Sequence, residues 1–268
     1  MKNLSEFPAQ ELQKIRYVFT DIDDTLTDEG CLTAEAYSAM EALEKAGVRV
    51  IPITGRPAGW CDLIARLWPV SGVVGENGAL YFRYDRAKKQ MDRHYADSEQ
   101  ERISKRKKLL SLSKTILGEV KGAAISADQF CRETDLAIDF SEDVPRLSEE
   151  KINHIVKIFE DSGATAKVSS IHVNGWFGQY DKLTMTKVFA QECLFIDLDR
   201  DRESCVFVGD SPNDAPMFDY FSHSVGVANL SHFIDRLKNL PAYITEREGG
   251  GGFSELAAAI IESKNKRA

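Results

Sequence analysis

The first part of the chain alternates short apolar runs with stretches in which apolar residues recur at helical spacing. Thr33 suits the N-cap of a first helix that Gly47 ends, and Pro57 suits the start of a second helix that extends to about Leu67. This order of strand, helix, strand, helix and strand predicts a parallel, doubly wound, Rossmann-like α/β sheet. The apolar runs typical of buried strands are YVFT at 17–20 and VRVIPIT at 48–54, while GVVGENGALYF at 72–82 predicts a strand, a turn and a second strand.

The alternation stops in the polar, charged segment 83–89, and a different arrangement of elements follows. Apolar spacing predicts one helix from about Ser98 to Leu117 and another from Ser148 to about Asp161. We interpret this part as a compact α/β unit inserted into the sheet domain. Its strand-like runs are GAAISA at 122–127, LAIDF at 136–140 and the run 165–173. The predicted ranges are 1–84 for the first part of the core, 85–177 for the insertion and 178–268 for the second part of the core.

The strand and helix alternation returns after the insertion. Four consecutive glycines at 249–252 are interpreted as a mobile or sharply turning loop. The predicted helices begin at Lys182 or Leu183, near Asn213, near Ser231 and at Phe253. The predicted strands are SCVFVGD at 204–210, SVGVAN at 224–229 and AYIT at 242–245.

Composition limits the kinds of partner that the chain can have. Its 268 residues carry a formal net charge of −8 with a pI near 5.3, which argues against nucleic acid and against an anionic membrane. The five cysteines are scattered and never in a CxxC spacing, so neither a disulfide framework nor a zinc site is indicated. The start lacks the apolar core of a signal peptide, and no apolar run approaches the ~20 residues of a membrane span. We expect a cytoplasmic protein of undetermined oligomeric state.

Carboxylates gather where two of the predicted strands end. Asp21, Asp23 and Asp24 follow the first strand, and Asp210 and Asp214 follow the strand SCVFVGD. One interpretation is a solvated turn in which these side chains cap the backbone. Parallel strands bring their carboxyl ends to one edge, however, and carboxylates converging there would raise one another's pKa unless a cation compensated. Oxygen ligands suit a hard divalent ion, so the sequence predicts a site for Mg²⁺.

Groups that bind anions accompany the carboxylates. Thr54 and Gly55 follow the second strand and offer a hydroxyl and an accessible backbone N–H, while Lys182 offers a positive charge at a helix start. A plain helix-capping turn is the alternative interpretation of the segment ITGR. Because Mg²⁺ usually shares a phosphate with the protein, the combination predicts a phosphate pocket.

Four segments of the chain resemble, in order, the four motifs of the haloacid dehalogenase-like hydrolases. They are DIDDTLT at 21–27, Thr54 in ITGRP, Lys182 in YDKLT and GDSPND at 209–214. The resemblance covers residues 15–84 and 178–262, and the order, the strand context and the spacing of the motifs all agree. Asp24 stands where the family most often has glycine. Lys187 is the alternative residue for the third motif.

The resemblance implies a role for each motif residue. Asp21 is the expected nucleophile that forms an aspartyl-phosphate, and Asp23 is the expected acid and base. Thr54, Gly55 and Lys182 are the expected phosphate ligands. The residues expected to hold Mg²⁺ are Asp21, Asp23 through its backbone carbonyl, Asp210 and Asp214.

The insertion lies between the second and third motifs, where the type IIB subclass of the family carries an α/β cap. Relatives with this cap act on sugar phosphates, so we expect a small phosphorylated metabolite, and most specifically a sugar phosphate, as substrate. Trp176 could stack on a sugar and is a further candidate in the insertion, whereas Arg132 and Asp135 are weaker candidates for contact with the substrate. The candidate substrate-binding residues are Arg56, Asn77, Asn213, His172 and Asn174.

Two other functions compete with a phosphatase. A phosphomannomutase-like enzyme would return the phosphoryl group to another hydroxyl of the sugar. A phospho-acceptor module would keep the phosphoryl group on Asp21, but such a module has little need of an acid at Asp23 or of a cap of ~95 residues. The resemblance therefore favours a Mg²⁺-dependent phosphomonoester hydrolase.

Overall fold

The computed structural model describes residues 1–169 and 171–266 of the chain. The strands are β1 Lys2–Asn3, β2 Tyr17–Thr20, β3 Thr27–Asp28, β4 Cys31–Leu32, β5 Arg49–Pro52, β6 Val73–Gly75, β7 Leu80–Asp85, β8 Gln90–Tyr95, β9 Ala124–Ile125, β10 Asp135–Asp139, β11 Thr165–Val168, β12 His172–Trp176, β13 Cys205–Gly209, β14 Ser224–Gly226 and β15 Tyr243–Ile244. The α-helices are α1 Ala9–Lys14, α2 Ala34–Lys45, α3 Ala58–Leu67, α4 Glu99–Glu119, α5 Glu149–Asp161, α6 Lys182–Phe189, α7 Ala215–Tyr220 and α8 Gly249–Asn265.

A six-stranded parallel sheet forms the centre of the molecule, with the strand order β1-β15-β14-β13-β2-β5. Neighbouring residues of β2 point to opposite faces: Val18 lies in the apolar core that includes Met40 of α2 and Phe253 of α8, whereas Phe19 lies in the core that includes Phe189 of α6. Both faces of the sheet are therefore covered by helices, which explains why every residue of β2 is buried. The predicted doubly wound α/β fold is confirmed.

The segment between α3 and α6 contains two antiparallel sheets. The sheet β6-β7-β8 lies against the central sheet, because Ile53 pairs with Val74 and because Met91 and Tyr95 pack on its core. The second sheet has the order β11-β12-β10-β9 and shares a separate apolar core with α4 and α5. The predicted boundary at residues 84 and 85 falls inside the β7–β8 hairpin. We propose that the cap starts after Tyr95, the last residue of the β7–β8 hairpin that packs on the core of the central sheet.

Two predictions about elements were wrong. The run 165–173, of which residue 170 lies outside the described residues, is not one strand but parts of the antiparallel strands β11 and β12. The hydroxyl of Ser169 accepts from the amides of Ile171 and His172, and this local side-chain bonding ends the extended run.

The second wrong prediction concerns the glycines at 249–252, which do not form a loop. They are buried and make the first turn of α8. A Cβ atom on Gly252 would lie 2.4 Å from the carbonyl oxygen of Arg247, so the absence of a side chain lets the helix pack closely against the segment that precedes it. The amide of Gly250 donates to Asp28 Oδ1 at 3.0 Å and thereby gives the helix start a partner.

Candidate active site

Three carboxylates meet at the carboxyl edge of the central sheet. Asp21 follows β2, Asp210 follows the neighbouring strand β13, and Asp214 lies one turn further along the chain. One oxygen of each lies within 4.8 Å of the others, and the exposed fractions of these residues are 4%, 5% and 0%. The structure thus brings together three residues that the sequence predicts as metal ligands.

Lys182 lies against these carboxylates. Its Nζ is 3.0 Å from Asp21 Oδ1 and 3.0 Å from Asp214 Oδ1, and it is the first residue of α6. Asp181 caps that helix by accepting from the amide of Thr184. Gly78 lies so close to the chain before Lys182 that a Cβ would be 2.0 Å from the carbonyl oxygen of Asp181, and its φ of +98° also favours glycine. These features fix the point from which the lysine side chain enters the site.

The alternative lysine of the third motif lies elsewhere. Lys187 pairs with Asp199 at 3.1 Å, and its ammonium group lies over the ring of Tyr220. Asp199 is exposed and Tyr220 is partly exposed, so this contact lies at the protein surface. The geometry therefore favours Lys182 as the third-motif residue.

The site carries more negative than positive charge. Asp21, Asp210 and Asp214 bring three carboxylates against the single ammonium of Lys182. Burial, followed by the neighbouring Asp214 and Asp23, raises the pKa of Asp21 to about 7 against the opposing effect of Lys182. Burial and the carboxylates of Asp214 and Asp21 also raise the pKa of Asp210. A divalent cation with oxygen ligands would relieve this repulsion, so the donor set fits Mg²⁺.

Burial and the neighbouring carboxylates have opposite effects on the pKa of Lys182. Burial alone would lower its pKa, but the carboxylates of Asp21 and Asp214 outweigh it and raise the pKa above its usual range. The lysine is therefore a permanent positive charge beside Asp21.

Asp23 is held by Arg56 at the mouth of the site. Arg56 Nη2 donates to Asp23 Oδ1 at 2.6 Å, and its Nε donates to the same oxygen at 2.9 Å. The guanidinium group also lies over the ring of Trp60, 4.5 Å from the ring centroid. The predicted acid and the predicted substrate residue Arg56 are thus direct partners, and the side chain of Asp23 is more accessible than that of Asp21.

The predicted phosphate loop is built around a fully buried threonine. Thr54 Oγ1 accepts from the amide of Arg56 at 3.0 Å, which leaves the hydroxyl hydrogen free to donate to an anion. The amide of Asn77 donates to the carbonyl of Thr54, and the Asn77 side chain lies over Gly55. Asn77 Nδ2 is buried without a hydrogen-bond partner among the described residues. Thr54, Gly55 and Asn77 therefore line one part of the pocket.

Several contacts around the loops were not predicted from the sequence. Thr25 Oγ1 donates to Asp210 Oδ1 at 3.3 Å, and Ser211 Oγ donates to Asn213 Oδ1 at 3.0 Å. Arg132, a weak candidate in the insertion, is almost fully buried and donates to the carbonyl of Gly55 at 3.0 Å. The Thr25–Asp210 and Arg132–Gly55 contacts join residues that only the folded chain brings together, so no spacing rule in the sequence connects them.

The candidates in the insertion occupy different environments. Asn174 is buried, and its Nδ2 donates to Asp135 Oδ2 at 3.0 Å, while the indole nitrogen of the buried Trp176 has no partner among the described residues. His172 Nε2 lies 2.8 Å from a carboxylate oxygen of Glu142, which the sequence did not indicate. Direct contact of His172 and Asn174 with substrate stays a prediction.

Comparisons with known proteins agree with this geometry. Residues 18–174 and 182–255 match the family described as haloacid dehalogenase-like hydrolases. The chain belongs to this family. It is 27% identical over 245 residues to the phosphoglycolate phosphatase of Methanothermobacter thermautotrophicus. The alignment covers 90% of this chain and 96% of that protein.

Solved structures share the fold over nearly the whole chain. A Thermoplasma acidophilum protein superposes with a TM-score of 0.69 at 19% identity, covering 93% of this chain and 99% of the other. The sucrose-phosphatase of Synechocystis, solved with sucrose and phosphate, gives a TM-score of 0.67 at 16% identity over 93% of this chain and 98% of that one. Within the described residues, no helix has the length and apolar character that crossing a membrane requires.

Proposed function

We propose that the protein is a Mg²⁺-dependent phosphatase that hydrolyses a small phosphorylated metabolite, with sugar phosphates as the favoured class, through an aspartyl-phosphate. The observation that carries the proposal is the buried group of Asp21, Lys182 and Asp214 with Asp210 beside it. The family and the phosphatase names of similar proteins support the same reaction.

The first chemical step uses the two aspartates of the first motif. A carboxylate oxygen of Asp21 attacks phosphorus as the bond between phosphorus and the ester oxygen breaks, and Asp23 gives its proton to that oxygen. Lys182 holds the Asp21 carboxylate in place, and Thr54 and the Gly55 amide donate to the phosphoryl oxygens. For Asp23 to reach the leaving group, its bonds with Arg56 must loosen when substrate binds.

The second step releases phosphate. Asp23 takes a proton from a water molecule, whose oxygen attacks phosphorus and frees the carboxylate of Asp21. Asp21, Asp210, Asp214 and the backbone carbonyl of Asp23 would hold Mg²⁺, which neutralises charge on the phosphoryl oxygens. Lys182, Thr54 and the Gly55 amide position the reacting groups.

A phosphate-release assay tests the proposal. The purified protein is incubated with p-nitrophenyl phosphate and with a panel of sugar phosphates, with Mg²⁺ and with excess EDTA. We expect turnover that requires Mg²⁺ and yields free phosphate. Lack of metal-dependent turnover on every substrate would contradict the function, and formation of an isomeric sugar phosphate without free phosphate would favour the mutase instead.

A further inference from the structure

The similar proteins named as phosphatases differ in the group that carries the phosphate, since one name specifies glycolate and another sucrose. The first is an acid with a carboxylate, and the second is a neutral polyol. A residue of the cap next to Asp23 indicates which kind this protein accepts. We propose that Glu142 is a specificity-determining residue that selects neutral, hydroxyl-bearing leaving groups and rejects those with a carboxylate. The inference rests on the phosphatase function proposed above.

The backbone at Glu142 is held firmly in place. The carboxylate of the buried Asp139, at the end of β10, accepts from the amides of Ser141, Glu142 and Asp143 at 2.8 Å each. A loop with three such bonds to one carboxylate keeps its side chains in a defined direction. The cap fold therefore fixes the backbone from which the Glu142 side chain extends.

The Glu142 side chain borders the space into which the leaving group must project. Its Oε1 lies 3.9 Å from Arg56 Nη1, and Nη2 of the same guanidinium holds Asp23 at 2.6 Å. Asp23 must reach the ester oxygen of the substrate. Because the Arg56 guanidinium contacts both Asp23 and Glu142, the Glu142 carboxylate lies close to the first atoms of the leaving group. The side chain of Glu142 is 35% exposed, so it faces open space and not the cap core.

The cations near Glu142 leave its carboxylate able to accept further hydrogen bonds. Arg56 is shared with Asp23, which it contacts at much shorter distances than Glu142. His172 Nε2 approaches the other carboxylate oxygen at 2.8 Å but is not aligned for a hydrogen bond. Burial lowers the pKa of His172 despite the opposing effect of Glu142, so the ring is neutral at neutral pH.

The partly exposed carboxylate of Glu142 discriminates by chemistry. It accepts hydrogen bonds from hydroxyl groups of a sugar, and it repels a second anionic group of the substrate. A hydrogen bond to a charged partner corresponds to about 10- to 100-fold in affinity. Glu142 therefore favours a sugar phosphate over 2-phosphoglycolate.

The test compares three kinds of substrate with three proteins. The substrates are a panel of hexose and pentose phosphates, 2-phosphoglycolate and p-nitrophenyl phosphate, all with Mg²⁺. The proteins are wild type, Glu142→Gln and the control Glu150→Gln, which removes an exposed cap carboxylate at the start of α5. Circular dichroism and thermal unfolding check that the variants fold like wild type.

We expect wild type to prefer its best sugar phosphate over 2-phosphoglycolate by at least ~10-fold in kcat/KM. Glu142→Gln should reduce that preference by about 10-fold or more, chiefly through KM, while p-nitrophenyl phosphate changes little. Glu150→Gln should leave all three values unchanged. The charge reversal Glu142→Lys should raise the activity on 2-phosphoglycolate, a gain that partial unfolding does not produce.

Two results would overturn the assignment. One is a wild-type preference for 2-phosphoglycolate, and the other is an equal loss on all three substrates in Glu142→Gln, which would mean that Glu142 only holds the cap in place. Wild-type protein that is inactive on every substrate would instead overturn the proposed phosphatase function, and the inference with it.

Discussion

Asp24 is explained by the backbone and not by the chemistry of the pocket. Its φ is +56°, in the left-handed region that favours glycine and that Asp and Asn tolerate better than most residues. Its amide donates to Thr27 Oγ1 and its carbonyl accepts from Asn229 Nδ2. Burial, together with the nearby Asp23, raises the pKa of its carboxyl group. The turn therefore needs a residue that accepts positive φ, which fits the glycine that the motif resemblance leads us to expect at this position.

This account predicts that Asp24 can be replaced by glycine without loss of catalysis. Asp24→Gly should keep kcat within about twofold of wild type and leave stability equal or higher, because strain and a buried charge are both removed. Asp24→Ala should be less stable than Asp24→Gly by about 1 kcal/mol, since a Cβ is unfavourable at this φ. Urea unfolding and a phosphate-release assay measure the two effects. An inactive but folded Asp24→Gly would assign the carboxylate a catalytic role instead.

Residues of the site were predictable where the sequence places them directly after a strand. Asp21 and Asp210 belong to this group, and Lys182 was predictable in the same way from its place at the start of a helix. Glu142 was not predictable, because its approach to Arg56 depends on how the insertion folds over the core. A carboxylate in a polar loop carries no local signal that distinguishes it from a solvated side chain.

The start of α8 shows how one glycine run can be misinterpreted. Sequence rules associate four glycines with a flexible loop, since glycine loses more conformational entropy on folding than any other residue. Here the run opens a 17-residue helix, because neighbouring atoms leave no room for side chains. Only the packing of the folded chain reveals this requirement, whereas the capped helix α2 was predictable from Thr33 and its apolar spacing.

Two matched glycine substitutions test this interpretation. In Gly252→Ala the new Cβ would lie 2.4 Å from the carbonyl oxygen of Arg247 and 2.5 Å from Thr245 Oγ1, so the helix must shift at a cost of about 1–3 kcal/mol. Gly118→Ala, inside α4, meets nothing within 4 Å and should stabilise the protein by about 0.5–1 kcal/mol. The free energies of unfolding in urea compare the two. Equal effects of the two changes would contradict the close packing of α8.

At the scale of the molecule, a buried carboxylate joins the core to the cap. Glu76, fully buried, accepts from the amide of Ala58 in the core and from the amides of Glu133 and Thr134 in the cap. The Thr134 hydroxyl is a further partner. Together with the bond from Arg132 to Gly55, this contact fixes the cap against the phosphate loop. A change at Glu76 or Arg132 should therefore displace the segment that carries Thr54 and Gly55.

The buried Glu76 makes stability depend on pH. Burial, followed by Asp135, raises its pKa from 4.5 to about 7 against the effect of its hydrogen bonds. Protonation thus favours the folded state, and this contribution is full below about pH 4.5 and is lost as the pH rises through about 7. Glu76→Gln removes the titration, so its free energy of unfolding should rise less than that of wild type as the pH falls from 7.5 to 5, by up to about 1.4 kcal/mol per pH unit.

Urea unfolding between pH 5 and pH 8 in EDTA measures this difference. Glu150→Gln is the control, because it removes an exposed carboxylate and should follow the wild-type slope. The variant should also be less stable overall, since the amide turns an NH₂ group towards backbone donors. Identical slopes for wild type and Glu76→Gln would show that Glu76 does not titrate in this range.

The central claim is that Asp21 is phosphorylated during turnover. The most direct test is mass spectrometry of acid-quenched reactions with a turned-over substrate and Mg²⁺, using wild type, Asp21→Asn, Asp23→Asn and the control Asp92→Asn in the exposed part of β8. A phosphoryl adduct is predicted on the peptide that carries Asp21. With p-nitrophenyl phosphate, whose leaving group needs little protonation, Asp23→Asn should increase the adduct, because the water that releases phosphate lacks its base. Asp21→Asn should lose the adduct and about 10³-fold or more of kcat, while Asp92→Asn should match wild type. Substantial turnover by Asp21→Asn, or an adduct on another residue, would contradict the account.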